Sequence, residues 1–294
     1  MTLPWGARAA VMGVINITPD SFSDGGRCST PERALAQARR LLAQGADLLD
    51  LGAQSTRPGA LMVGPEEELR RLLPVLEALQ PLRAQHPELR LSIDTFEPAV
   101  AEAALAAGGD WINDVRGANA TSGAPGGSLR DPAMFPLIAR AGCPYVLMHS
   151  RGTSNTMDGL AVYGDVVADV RAELQAASEA ALAAGVRPEQ IIWDVGLGFA
   201  KTTEQNLELV RRLPELQAGG YPLLVGPSRK RFIGAVLDEP RARARLWGTA
   251  SVCALAVAAG ARVLRVHDVG PIAQVARMAA AVGEGVSWCP AAAS

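Results

Sequence analysis

The chain has 294 residues, 49% hydrophobic and 20% charged, which is enough apolar material for one large core or two ordinary ones. Its net charge of −2, with Lys and Arg spread along the sequence, leaves no basic footprint for nucleic acid. No apolar run approaches the roughly 18–20 residues that cross a membrane, and the opening MTLPWGARAA lacks the apolar core of a signal peptide.

Four scattered cysteines (Cys28, Cys143, Cys253, Cys289) form no C-x-x-C, and His86, His149 and His267 have no metal-ligand spacing. A disulfide framework or structural zinc site is not expected. The composition reads as a soluble cytoplasmic protein with reduced thiols.

Strands and helices alternate. VMGVI (11–15) is the first apolar run. Thr30-Pro31-Glu32 then opens a helix with a threonine cap, a proline at the first helical position and a carboxylate at the positive helix end. That helix runs to Gly45, a natural stop. DLLDLG (47–52) precedes a helix over 65–85, LRLSID (89–94) one over 97–107, and WINDV (111–115) one over 131–141. PYVLMH (144–149) precedes 164–184, QIIWDV (190–195) precedes 203–217, PLLVG (222–226) precedes 241–259, and ARVLRVH (261–267) precedes 271–281. Apolar runs without alternation suit a parallel sheet buried on both faces. Eight such pairs predict an α/β fold of the (β/α)8 TIM-barrel type, whose usual length is about 250 residues. A doubly wound open sheet is the competing fold. No linker interrupts the pattern, so residues 1–294 read as one domain. Segments 16–30 and 52–64 read as mobile loops, 117–130 as an inserted loop, and 284–294 as a loosely ordered tail.

Strand ends carry the functional signal. In a parallel barrel every strand's C-terminal end meets one face, and active sites sit there. Those ends read Asn16, Asp50, Asp94, Asn113 with Asp114, His149, Asp194, Ser228-Arg229-Lys230, and Arg265 with His267. All eight carry a polar or ionisable group. Arg229, Lys230, Arg265 and His267 fall after the seventh and eighth strands, the usual phosphate site of such barrels. Asp50, Asp94, Asn113 and Asp194 suit a flat ring rich in N–H donors. The residues alone therefore point to an enzyme acting on a phosphorylated small molecule that carries a donor-rich heterocycle, with Mg²⁺ bridging phosphate and protein oxygens.

GVINITPDSFSDGG (13–26), DLGAQSTRPGA (50–60), SIDT (92–95), INDV (112–115), LMH (147–149), DVGLGFAKT (194–202), GPSRKRFIG (226–234) and RVHDV (265–269) lie in order over nearly the whole chain. In these motifs the chain resembles the dihydropteroate synthases of folate biosynthesis. NxTPDSFSDGG together with SRK is specific; SIDT or RVHDV alone is weak. The resemblance implies joining of p-aminobenzoate to (7,8-dihydropterin-6-yl)methyl diphosphate with release of diphosphate, in a Mg²⁺-using homodimer. It places Asp94, Asn113 and Asp194 on the pterin ring and Lys230 on its carbonyl and ring nitrogen. Arg265 and His267 match diphosphate-binding positions, and Asn16 the Mg²⁺-linked residue. Thr56 and Arg57 belong to the second mobile loop, and Phe199 with Ser228 to the aminobenzoate side. Asp94, Lys230, Arg265 and His267 form the expected catalytic set.

The chain departs from the family pattern at Gln54, at Val195 in place of a proline, at Ser150-Arg151 after His149, and at Arg231 where many relatives have serine. Arg231 is read as a candidate for the benzoate carboxylate. Lys201 is left open between touching a substrate and pinning its loop. His149 and Asp47 read as structural, His86 as solvated, Met12 and Met148 as core or pocket wall, and PRARAR (240–245) as a solvated helix start. Two other readings compete: a methyltetrahydrofolate–corrinoid methyltransferase, which needs no diphosphate site, and a pterin-binding paralogue without turnover.

Overall fold

The computed structural model describes residues 8–18, 30–54, 62–119 and 130–283. Both predicted mobile loops fall largely outside these residues, as do most of the 117–130 segment and the tail. Eight parallel strands close into a barrel in sequence order: β1 (Ala10–Asn16), β2 (Leu48–Gly52), β3 (Arg90–Asp94), β4 (Trp111–Asn119), β5 (Tyr145–Ser150), β6 (Ile191–Asp194), β7 (Leu223–Val225) and β8 (Val263–Val266). β8 pairs with β1, so the barrel has no free edge. Among the described residues ten α-helices follow the strands: α1 (Pro31–Ala43), α2 (Pro65–Gln85), α3 (Pro98–Ala106), α4 (Met134–Ala141), α5 (Val166–Ala183), α6 (Thr203–Arg211), α7 (Leu213–Gln217), α8 (Arg231–Leu237), α9 (Leu246–Ala258) and α10 (Val269–Gly283).

Local chemistry accounts for the helix bounds. Thr30 caps α1 by accepting from the Arg33 amide at 3.4 Å, with Pro31 in the first turn. α2 tolerates Pro74 and Pro81 because both lie on its exposed face, seven residues apart. The carbonyls those prolines leave without an amide partner face water.

The strands read as unbroken apolar runs because each face is buried differently. One face packs against the helices. The other points into the barrel, where Ala10, Met12, Leu48, Trp111, Val146, Ile192, Leu224 and Val263 form a closed floor. Side chains alternate along a strand, so two residues past that floor the inward positions become Asp50, Asn113, Asp194 and Arg265. The chemistry therefore sits on a packed base, toward the C-terminal ends of the strands.

Four expectations need correction. β4 extends to Asn119 rather than ending near Val115, so the predicted inserted loop loses its first three residues to strand. The register shifts between Asp114 and Ala118, where Asp114 accepts from the Arg116 amide at 2.7 Å and the Tyr145 hydroxyl at 2.6 Å. The 203–217 helix breaks at Arg212 into α6 and α7, with Pro214 opening the second piece. The 241–259 segment begins as a 3₁₀ turn, Ala242–Arg245, before α9. α8 is absent from the predicted elements, because it begins directly after the SRK turn with no side-chain cap.

Candidate active site

Asp50 is the hub of the upper barrel. It is fully buried, and its Oδ1 accepts from the Ser92 hydroxyl at 2.6 Å. Its Oδ2 accepts from Asn113 Nδ2 at 3.2 Å and from Arg265 Nε at 2.7 Å. Arg265 turns its Nη2 to Asp94 Oδ2 at 2.6 Å. One guanidinium thus bridges two carboxylates on adjacent strands. This satisfies the condition that a carboxylate at the Asp94 position be buried only with a partner. Nη1 of Arg265 makes no hydrogen bond among the described residues, and it remains available to a ligand.

The electrostatics are opposed by design of the barrel. Burial pushes the Asp94 carboxyl above its ordinary range, against the pull of Arg265, and Asp50 adds to the upward push. Burial works to lower Arg265, but Asp50 and Asp94 outweigh it and raise its pKa. Asp194 is also raised by burial, although it accepts from the Gly196 amide at 2.8 Å. Asn113 is buried, and its Oδ1 has no hydrogen-bond partner. An unmatched buried acceptor is costly unless something supplies a donor.

These groups converge on one cavity of about 350 Å³. Asp94, Asn113, Asp194, Phe199, Lys230 and Arg265 line it, together with apolar walls from Val115, Met148 and Leu197. Lys230 Nζ sits 4.2 Å from the centre of the Phe199 ring. Six of the sequence-predicted residues are therefore brought together. Ser228 and His267 are not in that lining, but they face each other: Ser228 Oγ is 3.0 Å from His267 Nδ1 and accepts from its amide at 3.2 Å. Asn16 ends β1, with its amide nitrogen buried and unpartnered. Thr56 and Arg57 lie outside the described residues. A second cavity, about 420 Å³, adjoins the first across Val115 and Phe199 and holds Phe96, Arg116 and Met157.

Several side chains do something other than expected. Arg231 forms an exposed ion pair with Asp158 at 2.8 Å and lines neither cavity. Arg229 is tied to Asp268 by two bonds, at 2.7 and 3.0 Å, rather than facing the cavity. Arg245, read as part of a solvated stretch, is buried and donates to main-chain carbonyls of Glu239, Pro240, Arg229 and Lys230. No periodicity marks it, and its neighbours Pro240, Arg241, Arg243 and Ala244 are exposed. His149 is structural as expected: its Nε2 meets Glu173 at 2.8 Å and its Nδ1 meets Lys201 Nζ at 2.9 Å. Asp47 is also structural, binding Arg8 and the Val11 amide at 2.7 Å, and His86 caps α2 beside exposed Glu88.

Among the described residues no group of three or more His, Cys, Asp or Glu could hold a metal ion, and no helix is long and apolar enough to cross a membrane.

A family profile described as "Pterin binding enzyme" matches residues 12–267. The dihydropteroate synthase of Synechocystis is 46% identical over 278 residues, covering 95% of this chain and 91% of that one. A crystal structure of the Yersinia pestis dihydropteroate synthase with a sulfonamide drug complex superposes with a TM-score of 0.87 at 36% identity, covering 97% of each chain. The Xanthomonas albilineans dihydropteroate synthase with 4-aminobenzoic acid gives a TM-score of 0.81 at 43% identity, covering 96% of this chain and 94% of that one. With the barrel and its acid-and-cation pocket in place, the chain belongs to the pterin-binding enzyme family, among its dihydropteroate synthases.

Proposed function

We propose that the 350 Å³ cavity holds the pterin of (7,8-dihydropterin-6-yl)methyl diphosphate and that the chain joins it to p-aminobenzoate. The observation that carries this reading is the convergence of Asp94, Asn113 and Asp194 with Lys230 and Arg265 on one cavity. The three former residues accept from the ring's N–H and amino groups, and the unmatched Asn113 oxygen is the acceptor in want of such a donor. Lys230 donates to the ring carbonyl and adjacent nitrogen. Phe199, stacked under the Lys230 ammonium, forms a wall of the aminobenzoate side.

In the reaction the aryl amine attacks the methylene carbon, the carbon–oxygen bond to diphosphate breaks, and the amine releases a proton. Charge separates as that bond stretches, so the site must stabilise both halves and keep water out. Asp94 and Asp194 favour positive charge on the pterin. Arg265 Nη1 and His267 take the developing charge on diphosphate. Fixing Arg265 between Asp50 and Asp94 keeps it oriented before substrate arrives.

Mg²⁺ belongs to this reading. The described residues offer no acidic cage, but Mg²⁺ needs only one or two protein oxygens when phosphates and water supply the rest. Asn16, at the C-terminal end of β1, would serve as the single protein ligand through its amide oxygen. When bound, the ion neutralises charge on the diphosphate. A homodimer and a cytoplasmic location complete the reading. The first is supported by the exposed apolar side chains Trp247 and Leu255 on α9 and Met278 and Val282 on α10, and the second by the free, buried Cys143 and Cys253.

The test mixes purified protein with both substrates and Mg²⁺ and follows diphosphate and dihydropteroate together. Aminobenzoate-dependent formation of both, abolished in Asp94→Ala, is the expected result. Pterin binding without turnover would overturn the reading in favour of a binding paralogue.

A further inference from the structure

The loop from β6 to α6 poses a conformational problem. It carries Asp194 at its start and Phe199 in its middle, and both line the pterin cavity. Yet Gly196 (φ 65°), Gly198 (φ 77°) and Ala200 (φ 48°) all adopt left-handed backbone within five residues. Ala200 bears a Cβ and is strained there. A Cβ on Gly196 would lie 1.8 Å from the His149 carbonyl oxygen, so the loop is pressed directly onto β5. Position 195 is valine, so no proline ring stiffens the turn. Something else must hold this chain in place.

Lys201 is buried at the foot of the loop, and each of its three N–H donors has an acceptor. Nζ donates to the Gly196 carbonyl at 3.0 Å and to the Phe199 carbonyl at 2.9 Å. The third contact is His149 Nδ1 at 2.9 Å. If Nδ1 accepts, the imidazole is neutral and its Nε2–H points outward, where Glu173 Oε2 accepts it at 2.8 Å. Burial, with Lys201 alongside, pushes His149 down to about 4, which agrees with a neutral ring, and burial likewise lowers Lys201 to about 7. Glu173, on α5, is itself fixed by Arg151. Two further loop groups are matched by other partners: Asn206 accepts from the Gly198 amide at 2.6 Å, and Tyr163 donates to the Ala200 carbonyl at 2.9 Å. Lys201 lines neither cavity.

We propose that Lys201 is a positioning residue: oriented by His149 and Glu173, it ties the Gly196 and Phe199 carbonyls together and so fixes the Phe199 wall of the aminobenzoate side. The aminobenzoate role of Phe199 rests on the reading given under Proposed function; the anchoring of the loop does not. Lys201 acts through Phe199, so its loss and the loss of the ring overlap in effect rather than add. Misplacing a binding wall by about 1 Å costs up to about 10²-fold.

The experiment compares the full-length wild-type protein, Lys201→Met, Phe199→Ala and the double variant, by steady-state kinetics and by amide hydrogen exchange. Lys201→Met is expected to raise exchange of the 196–200 amides at least about tenfold while the barrel strands keep their protection. It is expected to lower kcat/KM for p-aminobenzoate about 10–100-fold, chiefly through KM, and Phe199→Ala added on top is expected to cost less than twofold more. Unchanged loop exchange would overturn the anchoring. Additive losses, or a fall in kcat with KM unchanged, would overturn the route through Phe199. A wild-type protein without turnover would sink the function proposed above, yet the exchange data would still decide whether Lys201 holds the loop. If Lys201→Met does not fold, Lys201→Gln, whose amide keeps two donors, serves in the same cycle.

Discussion

Arg265 donates to Asp94 at 2.6 Å from the same guanidinium that binds Asp50 at 2.7 Å, so a cavity-lining carboxylate and a wholly buried one share a single counter-charge. The two acids differ in what their removal does.

Asp94→Asn leaves Asp50 on Arg265, so no charge is stranded. The fold is expected to survive with Tm within a few degrees of wild type. An amide in that place accepts fewer donors and offers no negative charge to the ring. A charge-assisted hydrogen bond contributes about 1.5–3 kcal/mol, so pterin affinity is expected to fall about 10–150-fold. Titration calorimetry with the pterin substrate alone reads this directly, and an unchanged Kd would remove Asp94 from the pterin site.

Asp50→Ala should behave in the opposite way. It leaves the Ser92 hydroxyl, the Asn113 amide and one arm of Arg265 unmatched at the centre of the barrel. Breaking a buried pair costs about 3–5 kcal/mol, and calorimetric melting is expected to show a drop in Tm of about 10 °C or more. A loss of activity with unchanged melting would mean that Asp50 is not the structural hub its contacts imply.

Glu68 gives a prediction about pH. It lies buried at the start of α2, accepting from Gln54 Nε2 at 3.1 Å, while Gln54 Oε1 accepts from the Val63 amide at 3.0 Å. Burial pushes the Glu68 carboxyl up to about 7, against Thr95 and with Glu97 adding to the push. A carboxyl raised in the folded state binds more protons folded than unfolded. Its contribution is fully present below about 4.5 and is lost as pH rises through about 7. The loss amounts to about 3 kcal/mol at the most, at roughly 1.4 kcal/mol for each pH unit of separation. Urea midpoints from pH 4.5 to 8 are therefore expected to fall less in Glu68→Gln than in wild type, with the variant the more stable of the two at pH 8. Parallel curves would show that the buried carboxyl is not the titrating group.

The barrel was legible because burial on both strand faces writes itself as apolar runs, and because the count of eight strand–helix pairs favours a barrel over a doubly wound sheet. Asp94, Asn113, Asp194, Lys230 and Arg265 could be named for the same reason: each ends or follows a strand. What the sequence hid was contact between distant segments. Nothing in QHPE or PRARAR distinguishes His86, which is half in water, from Arg245, which is buried. Arg231 follows the SRK motif yet turns outward to Asp158, since α8 begins at that residue and carries its side chain away from the cavity. Lys201 looked ambiguous because its partners come from β5, the loop backbone and, through His149, α5, which only the closed barrel assembles.

Arg245 offers the sharpest check on that last point. Its Nε donates to the Glu239 carbonyl at 2.9 Å, its Nη2 to Pro240 at 2.8 Å, and its Nη1 to Arg229 at 3.1 Å and Lys230 at 3.4 Å. Among the described residues all its hydrogen bonds go to main-chain oxygens, so the guanidinium serves as a template on which the SRK turn and the chain after α8 are shaped. Arg229 holds a left-handed backbone (φ 62°), and Thr249 of α9 accepts from its amide at 3.2 Å. Arg245→Met keeps the length of the stem and removes every donor. Each carbonyl left buried without a partner costs about 1–3 kcal/mol, and water entering the space recovers part of it, so a loss of about 3 kcal/mol in urea unfolding is expected. Lys230 shares that turn, so pterin affinity should fall as well, by about tenfold. Arg245→Lys, with one ammonium in place of a fork, should recover only part of both quantities. Full recovery by lysine would show that charge alone is needed there, and that the shape of the guanidinium is not.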